Sequence, residues 1–216
     1  MASYTFRYFP VIGYGETSRL LLTAAKVEWT EENPEWPEEK PNQPFGRLPV
    51  LLEHSSDGGP DVVLSESGTI ERYLARTYGF LPVDPSQAAL QEQIRDRQVD
   101  TLLAFSNSMF VKESAKEEVY AKFEYLLDMF ISTQTELLRK NGDTGRSFGT
   151  TLSYADIATY AFMKLFLIHC VQFSEVVPKL FKAKLTPELV KLAATVEADP
   201  LLAAYVEAKS SIAALV

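Results

Sequence analysis

Two groupings of residues in the sequence could do chemistry together. The first is Ser65-Glu66-Ser67, small hydroxyls around an acid, just ahead of the helically patterned run GTIERYLAR. Such residues suit a helix N-terminus. A helix N-terminus exposes free backbone N–H groups and a partial positive charge, so it is a ready anion site. The second grouping is Leu48-Pro49, at the head of the apolar run LPVLLE. Proline cannot donate to a sheet ladder, so its place at a strand head needs a reason. A cis peptide is one: it turns the N–H and C=O of Leu48 outward, where a peptide-like ligand can pair with them as an added strand would. An outward backbone edge beside an anion-binding helix start suits a small peptide that carries a carboxylate.

The elements that must position these groups follow from pattern. Leu48 to Glu53 reads as a buried strand and Val62 onward as a second apolar strand. The Ser-Asp-Gly-Gly-Pro run between them supplies a hairpin turn. Upstream, Tyr4 to Phe9 alternates aromatic and polar residues as a strand does, Glu16 to Lys26 has helical periodicity, and Val27 to Thr30 is a short strand. Tyr78-Gly79 ends the helix that starts near Ser67, and the proline-bearing run 80–87 reads as a connector. No strand pattern returns after it. Ala88 to Lys112, Glu113 to Lys140 and Tyr154 to Val171 read as long helices, the last opened by a capping box of Ser153 and Asp156. The expected division is therefore 1–79, a linker 80–87, and an all-helical 88–216.

The order F-G-x-L-P-V-L, a hairpin, then L-x-E-S-x-x-I-x-R-Y-L-A resembles the thioredoxin-like domain of cytosolic glutathione transferases, with the tyrosine-type sigma class nearest in pattern. The resemblance runs the full length of the chain. It implies an α/β thioredoxin-like N-terminal domain followed by an all-α domain, with glutathione as substrate and no metal. It also assigns roles. Tyr8, in the Tyr-Phe pair ending the first strand, is the hydrogen-bond donor to the glutathione sulfur. A donor that favours the charged sulfur lowers a thiol pKa of ~8.5 and raises the thiolate fraction at neutral pH. Trp36 and Lys40 contact the glycine end, Glu66 and Ser67 take the ammonium and carboxylate of the glutamyl end, and Arg47, Leu48 and Pro49 complete the glutathione site. The implied activity is transfer of the glutathione thiolate to hydrophobic electrophiles; the alternative is a weakly catalytic or non-catalytic carrier of such ligands. The implied assembly is a two-fold homodimer, with Phe45 in the position of an interface anchor.

Two positions depart from the sigma-like pattern. Tyr14 stands where a second arginine lies close to the sulfur, which removes a cation and offers an O–H or an aromatic wall instead. After Val99-Asp100-Thr101-Leu102 the usual acidic pair is missing, leaving Asp96 or Asp100 for any help with the glutamyl ammonium. The second substrate is expected between the Tyr8–Tyr14 loop and the following long helix, where Phe105, Met109 and Lys112 share a face; Tyr14, Phe105 and Met109 are its candidate walls. His169 and Cys170 read as residues at the edge of the core.

Composition narrows the classes. The 216 residues are 46% hydrophobic and carry a net charge of −8 without a basic run, which argues against nucleic acid as partner. One cysteine and two histidines disfavour disulfide or metal chemistry and fit a reducing compartment. The N-terminus lacks the charge and apolar pattern of a signal peptide, and no apolar run is read as approaching the ~18 residues of a membrane helix, so the expectation is a cytoplasmic protein away from membranes.

Overall fold

The computed structural model describes residues 2–55 and 59–216. A four-stranded mixed sheet opens the chain, in the order β2-β1-β3-β4. Central β1 (Ser3–Arg7) runs parallel to β2 (Glu28–Glu32) and antiparallel to β3 (Val50–His54), with Arg7 opposite both Glu32 and Val50. β4 (Val62–Ser65) closes the sheet antiparallel to β3, pairing Ser65 with Val50. Residues 56–58 of the expected hairpin turn lie outside the described residues. Tyr4 and Phe6 of β1 are buried with Leu51, while α1 (Glu16–Ala24) and α2 (Ser67–Thr77) contribute Leu20, Leu21, Leu22, Ile70 and Leu74. Burial of each such side chain is worth about 1.5–3 kcal/mol relative to leaving it in water.

Helices make up the rest: α3 (Pro85–Phe110), α4 (Lys116–Lys140), α5 (Tyr154–Lys164), α6 (Val176–Lys184), α7 (Pro187–Glu197) and α8 (Ala203–Lys209). Helix α3 takes in Pro85 to Gln87, three residues of the run read as a connector. Asp84 accepts from the Gln87 N–H at 2.9 Å and Pro85 occupies the first helical position, both ordinary start signals. The Ser153–Asp156 capping box forms, with reciprocal bonds of 3.3 and 3.1 Å. The expected single helix to Val171 is instead α5 followed by a π turn (Leu165–His169) and a 3-10 turn (Cys170–Gln172). All carry the same apolar pattern, which does not distinguish the three windings.

The expectation about apolar runs is corrected here. Tyr154–Gln172 spans 19 residues at a mean hydropathy of 1.2, enough by length and composition to cross a membrane, yet 83% of it is buried inside the fold. A helix apolar on all sides and enclosed by its own chain is a core helix. Its Phe162 and Phe166 pack with Phe130, Phe123 and Phe181 at centroid distances of 4.6 to 6.1 Å.

Candidate active site

The site forms where the end of β1, the 33–49 segment and the start of α2 converge. A cavity of about 490 Å³ there is bounded by Trp36, Lys40, Arg47, Leu48, Pro49, Glu66 and Ser67, together with Phe9, Tyr14, Gly46, Ser65 and Val99. Seven of the eight residues expected at one ligand thus share one cavity. Leu48–Pro49 is cis, as is Trp36–Pro37. Pairing of β3 with its neighbours begins at Val50, which leaves the Leu48 peptide groups outside the ladder and at the cavity.

The start of α2 differs from expectation. Glu66 precedes the helix with φ +69°, ψ +118°, and neither it nor the serines cap the helix through side chains. A capping side chain reaches the first-turn amides from extended backbone angles, and Glu66 does not have them. The helix's own pairing starts with the Thr69 and Ile70 N–H groups on the Glu66 carbonyl, each 3.0 Å. The Ser67 and Gly68 amides therefore have no intrahelical acceptor, and they stand at the positive end of the helix dipole. The Ser65 Oγ is buried and has no partner among the described residues.

The eighth residue, Tyr8, lies just beyond the last paired position of β1; its N–H still bonds the Glu32 carbonyl at 3.0 Å. Its ring is buried under the next loop, and its Oη accepts the Tyr14 N–H at 2.9 Å. A Cβ added at Gly13 would fall 2.4 Å from that Oη, and one at Gly15 would fall 2.4 Å from the ring, so only glycines allow the loop this close. Burial raises the Tyr8 pKa, opposed by the Tyr14 N–H and by Arg19. The group is accordingly a phenol at neutral pH, able to donate its proton in a hydrogen bond. Phe9 links the two ends of the site, with ring centroids 5.6 Å from Tyr8 and 5.5 Å from Trp36.

Tyr14 also lines a second, apolar cavity of about 130 Å³ with Gly13, Leu102, Phe105, Ser106, Met109, Leu165, His169, Cys170 and Phe173. The expected walls Phe105 and Met109 are present, although Phe105 is buried and packs its ring on Phe123 and Phe166. His169 and Cys170 join this wall. Burial holds the His169 imidazole below the ordinary histidine range and pushes the Cys170 thiol up to about 12, so neither is a ready charged nucleophile. Asp96 and Asp100 are turned to other work, pairing with Arg72 at 3.5 Å and Arg97 at 3.8 Å. Among the described residues no three His, Cys, Asp or Glu side chains gather as metal ligands.

One residue the sequence reading passed over belongs here. Arg19 of α1 is buried, its Nη1 donating to the Val11 carbonyl at 2.7 Å and its Nη2 to the Phe9 carbonyl at 2.8 Å. Its guanidinium carbon lies 5.5 Å from the Tyr8 ring centre, within cation–π range. The available signal was an arginine set in the apolar face of α1, three residues after Glu16.

Residues 4–76 match the family description "Glutathione S-transferase, N-terminal domain", and residues 99–209 match "Glutathione S-transferase, C-terminal domain". The chain is 32% identical over 178 residues to "Glutathione S-transferase P" of Capra hircus, covering 79% of each protein. Among solved structures it superposes on the Fasciola hepatica sigma class GST with a TM-score of 0.77 at 23% identity, covering 97% of this chain and 98% of that one. It superposes on monomeric Na-GST-3 from Necator americanus with a TM-score of 0.73 at 26% identity, covering 97% and 98%. The class labels differ, and the family is what these relatives share.

Proposed function

The chain belongs to the glutathione S-transferase family, and from that premise we propose that Tyr8 activates glutathione for transfer to hydrophobic electrophiles. The observation that carries the reading is the single cavity edged by Trp36, Lys40, Arg47, Leu48, Glu66 and Ser67, joined through Tyr14 to an apolar one. Glutathione has two carboxylates and an ammonium. In the proposed pose one carboxylate meets the Ser67 and Gly68 amides, Glu66 pairs with the ammonium, and Lys40 with the Trp36 indole N–H takes the glycine carboxylate. The Leu48 peptide then pairs with the cysteinyl unit and aims its sulfur at Tyr8.

The thiol proton leaves to solvent, and the Tyr8 O–H donates a hydrogen bond to the resulting thiolate. Sulfur attacks the electrophilic carbon held between Tyr14, Phe105 and Met109, and the leaving group departs with the displaced electron pair. Stabilising the resting thiolate increases the fraction of nucleophile at neutral pH. Retention on immobilised glutathione, together with turnover of 1-chloro-2,4-dinitrobenzene, tests the proposal. Retention without turnover would favour the carrier reading, and loss of both would defeat the site assignment.

The proposed assembly is a two-fold homodimer. Phe45 is 81% exposed at φ +54°, a conformation that holds it out from its own domain. Between α3 and α4 lies a cleft of about 430 Å³ edged by Leu90, Ile94, Met129, Phe130 and Phe148, which suits an aromatic ring from a second copy. Sedimentation should give a dimer at micromolar concentration and a monomer for Phe45→Ser. A wild-type monomer, like the Necator relative, would overturn this. The lone cysteine fits a reducing compartment, and we propose the cytoplasm as its location.

A further inference from the structure

We propose that Lys164, in the core helix of the second domain, is a positioning residue for Tyr8 and acts on it through Glu16 and Arg19. This rests on the role given to Tyr8 above. Every residue of α5 is buried, and Lys164 is 2% exposed. A lysine in such a place needs a partner. It has one from the other domain: Nζ lies 2.6 Å from Oε1 of Glu16, the first residue of α1. The other Glu16 oxygen faces Arg19 Nη1 at a long 3.4 Å.

That longer contact is what lets Arg19 hold the catalytic loop. The same Nη1 bonds the Val11 carbonyl, Nη2 bonds the Phe9 carbonyl, and Nε bonds Glu31 at 2.9 Å. Lys164 and Arg19 balance Glu16 and Glu31, two charges of each sign. Without Lys164, the cation left in contact with Glu16 among the described residues is Arg19. Arg19 would then close on Glu16 and loosen its grip on Phe9 and Val11. The loop between them and Tyr14 carries the N–H that bonds Tyr8 Oη. That N–H polarises the phenol and makes its proton a better donor to sulfur. With glycines 13 and 15 fitted against the ring, a shift of the loop is a shift at Tyr8.

The groups facing this path are few. Around Tyr8 they are Arg19, Tyr14 and, from α3, Arg95. Around the Lys164–Glu16 pair they are Arg19 and Tyr205 of α8, whose hydroxyl lies 3.5 Å from Glu16 Oε1 and whose ring centre lies 5.5 Å from Nζ, with Glu31, His169 and Lys209 lining the same cavity. Tyr160, one α5 turn before Lys164, completes the set through its electrostatic contact with Glu16. A buried ion pair is commonly no more stabilising than apolar residues of the same volume. What this one adds is a fixed place for Arg19.

The test compares Lys164→Met, Lys164→Arg and the double variant Lys164→Met/Glu16→Gln, in which no charge is left to draw Arg19 away. A fourth variant, Lys164→Gln, keeps a hydrogen-bond donor for Glu16 and carries the test should Lys164→Met fail to fold. Two readouts are taken. One is the pH profile of kcat/KM with 1-chloro-2,4-dinitrobenzene, with KM for glutathione. The other is tyrosinate absorbance, as the difference between each protein and its Tyr8→Phe counterpart, which needs no electrophile. We expect Lys164→Met to lose kcat about tenfold, with the thiol and Tyr8 ionisations displaced to higher pH and KM for glutathione within about twofold. The double variant should regain most of the loss, because the uncharged side chain of Glu16→Gln does not draw Arg19 off the loop. Lys164→Arg should restore much of the loss. A folded Lys164→Met or Lys164→Gln with the wild-type pH profile and wild-type Tyr8 titration, or a double variant as impaired as the single one, would overturn the proposal. Displaced Tyr8 titration in a protein that turns over no electrophile would support the coupling while defeating the catalytic reading of Tyr8.

Discussion

At the interface between the domains, Glu71 accepts two bonds from Arg95, both 2.7 Å, and one from the Tyr154 hydroxyl at 2.9 Å; all three side chains are buried. Some residues away, the cavity at the start of α2 leaves its polar groups without mates. Ser65 Oγ is buried and unpartnered, the Ser67 and Gly68 amides lie outside the helix ladder, and Lys40 and Arg47 form no ion pair with a described residue. Both regions concentrate polarity where the fold could have placed apolar atoms. Where the chain satisfies itself, polarity is architecture. Where it does not, a buried group such as the Ser65 Oγ is left for a partner from outside the chain, while the exposed Lys40 and Arg47 are met by water until a ligand displaces it.

The largest effect should come from breaking the self-satisfied region. Arg95→Met strands the Glu71 carboxylate in the interior and should cost about 3–5 kcal/mol in denaturant unfolding. Arg95→Met/Glu71→Leu should recover most of that, because no charge is left unpaired. A cost below about 1 kcal/mol for the single variant would break the contrast from this side.

Tyr8 stands between the two regions, buried like Arg95 but with its hydroxyl donating to no acceptor among the described residues. Tyr8→Phe should lower kcat by about tenfold to a thousandfold, the loss expected for one donor to an anion. Glutathione affinity, measured by calorimetry, should change little, since most contacts lie at the two carboxylate ends. Equal turnover would promote Tyr14 or Ser18 as the sulfur's partner.

What was legible in the sequence follows the same line. The cavity at the start of α2 is edged by residues whose signals are short-range: Leu48-Pro49, Ser65-Glu66-Ser67 and the Trp36–Lys40 spacing can each be picked out within a few residues. The strand and helix order was readable from periodicity, and the capping box from two residues three apart. The self-satisfied region was not readable. Glu16 and Lys164 are 148 positions apart, and Glu71 and Tyr154 are 83 apart, so no local pattern announces either pair. The backbone at Glu66 was also hidden, because glutamate gives no hint of φ +69° as glycine would. Arg19 needed both its long-range partners and the path of the loop before its place could be seen.

A smaller effect belongs to the exposed cation at the cavity edge. Lys40→Ala should weaken glutathione binding by roughly tenfold at low salt, less at high salt, as for one charge-assisted contact in partial solvent. Its thermal midpoint should stay with the wild type, since the side chain forms no ion pair with a described residue. A drop in midpoint with unchanged affinity would reassign Lys40 to structure and sharpen the boundary between the regions.

The smallest effect is the most direct on the comparison. Ser65 closes β4 opposite Val50, and its backbone is held by the sheet whatever its side chain does. Its hydroxyl is buried at the cavity without a partner among the described residues, so removing it breaks no bond to them and relieves an unpaired polar atom. Ser65→Ala should therefore leave the melting midpoint of the free protein unchanged or slightly raised. If glutathione supplies the missing partner, the variant should bind it about two- to twelvefold more weakly, the equivalent of the 0.5–1.5 kcal/mol of one net hydrogen bond. The stabilisation conferred by saturating glutathione should shrink by the same factor in affinity. The opposite pattern, a lower midpoint with affinity intact, would mean that the hydroxyl serves the fold, and that an unpartnered group at this cavity is no guide to where the ligand sits.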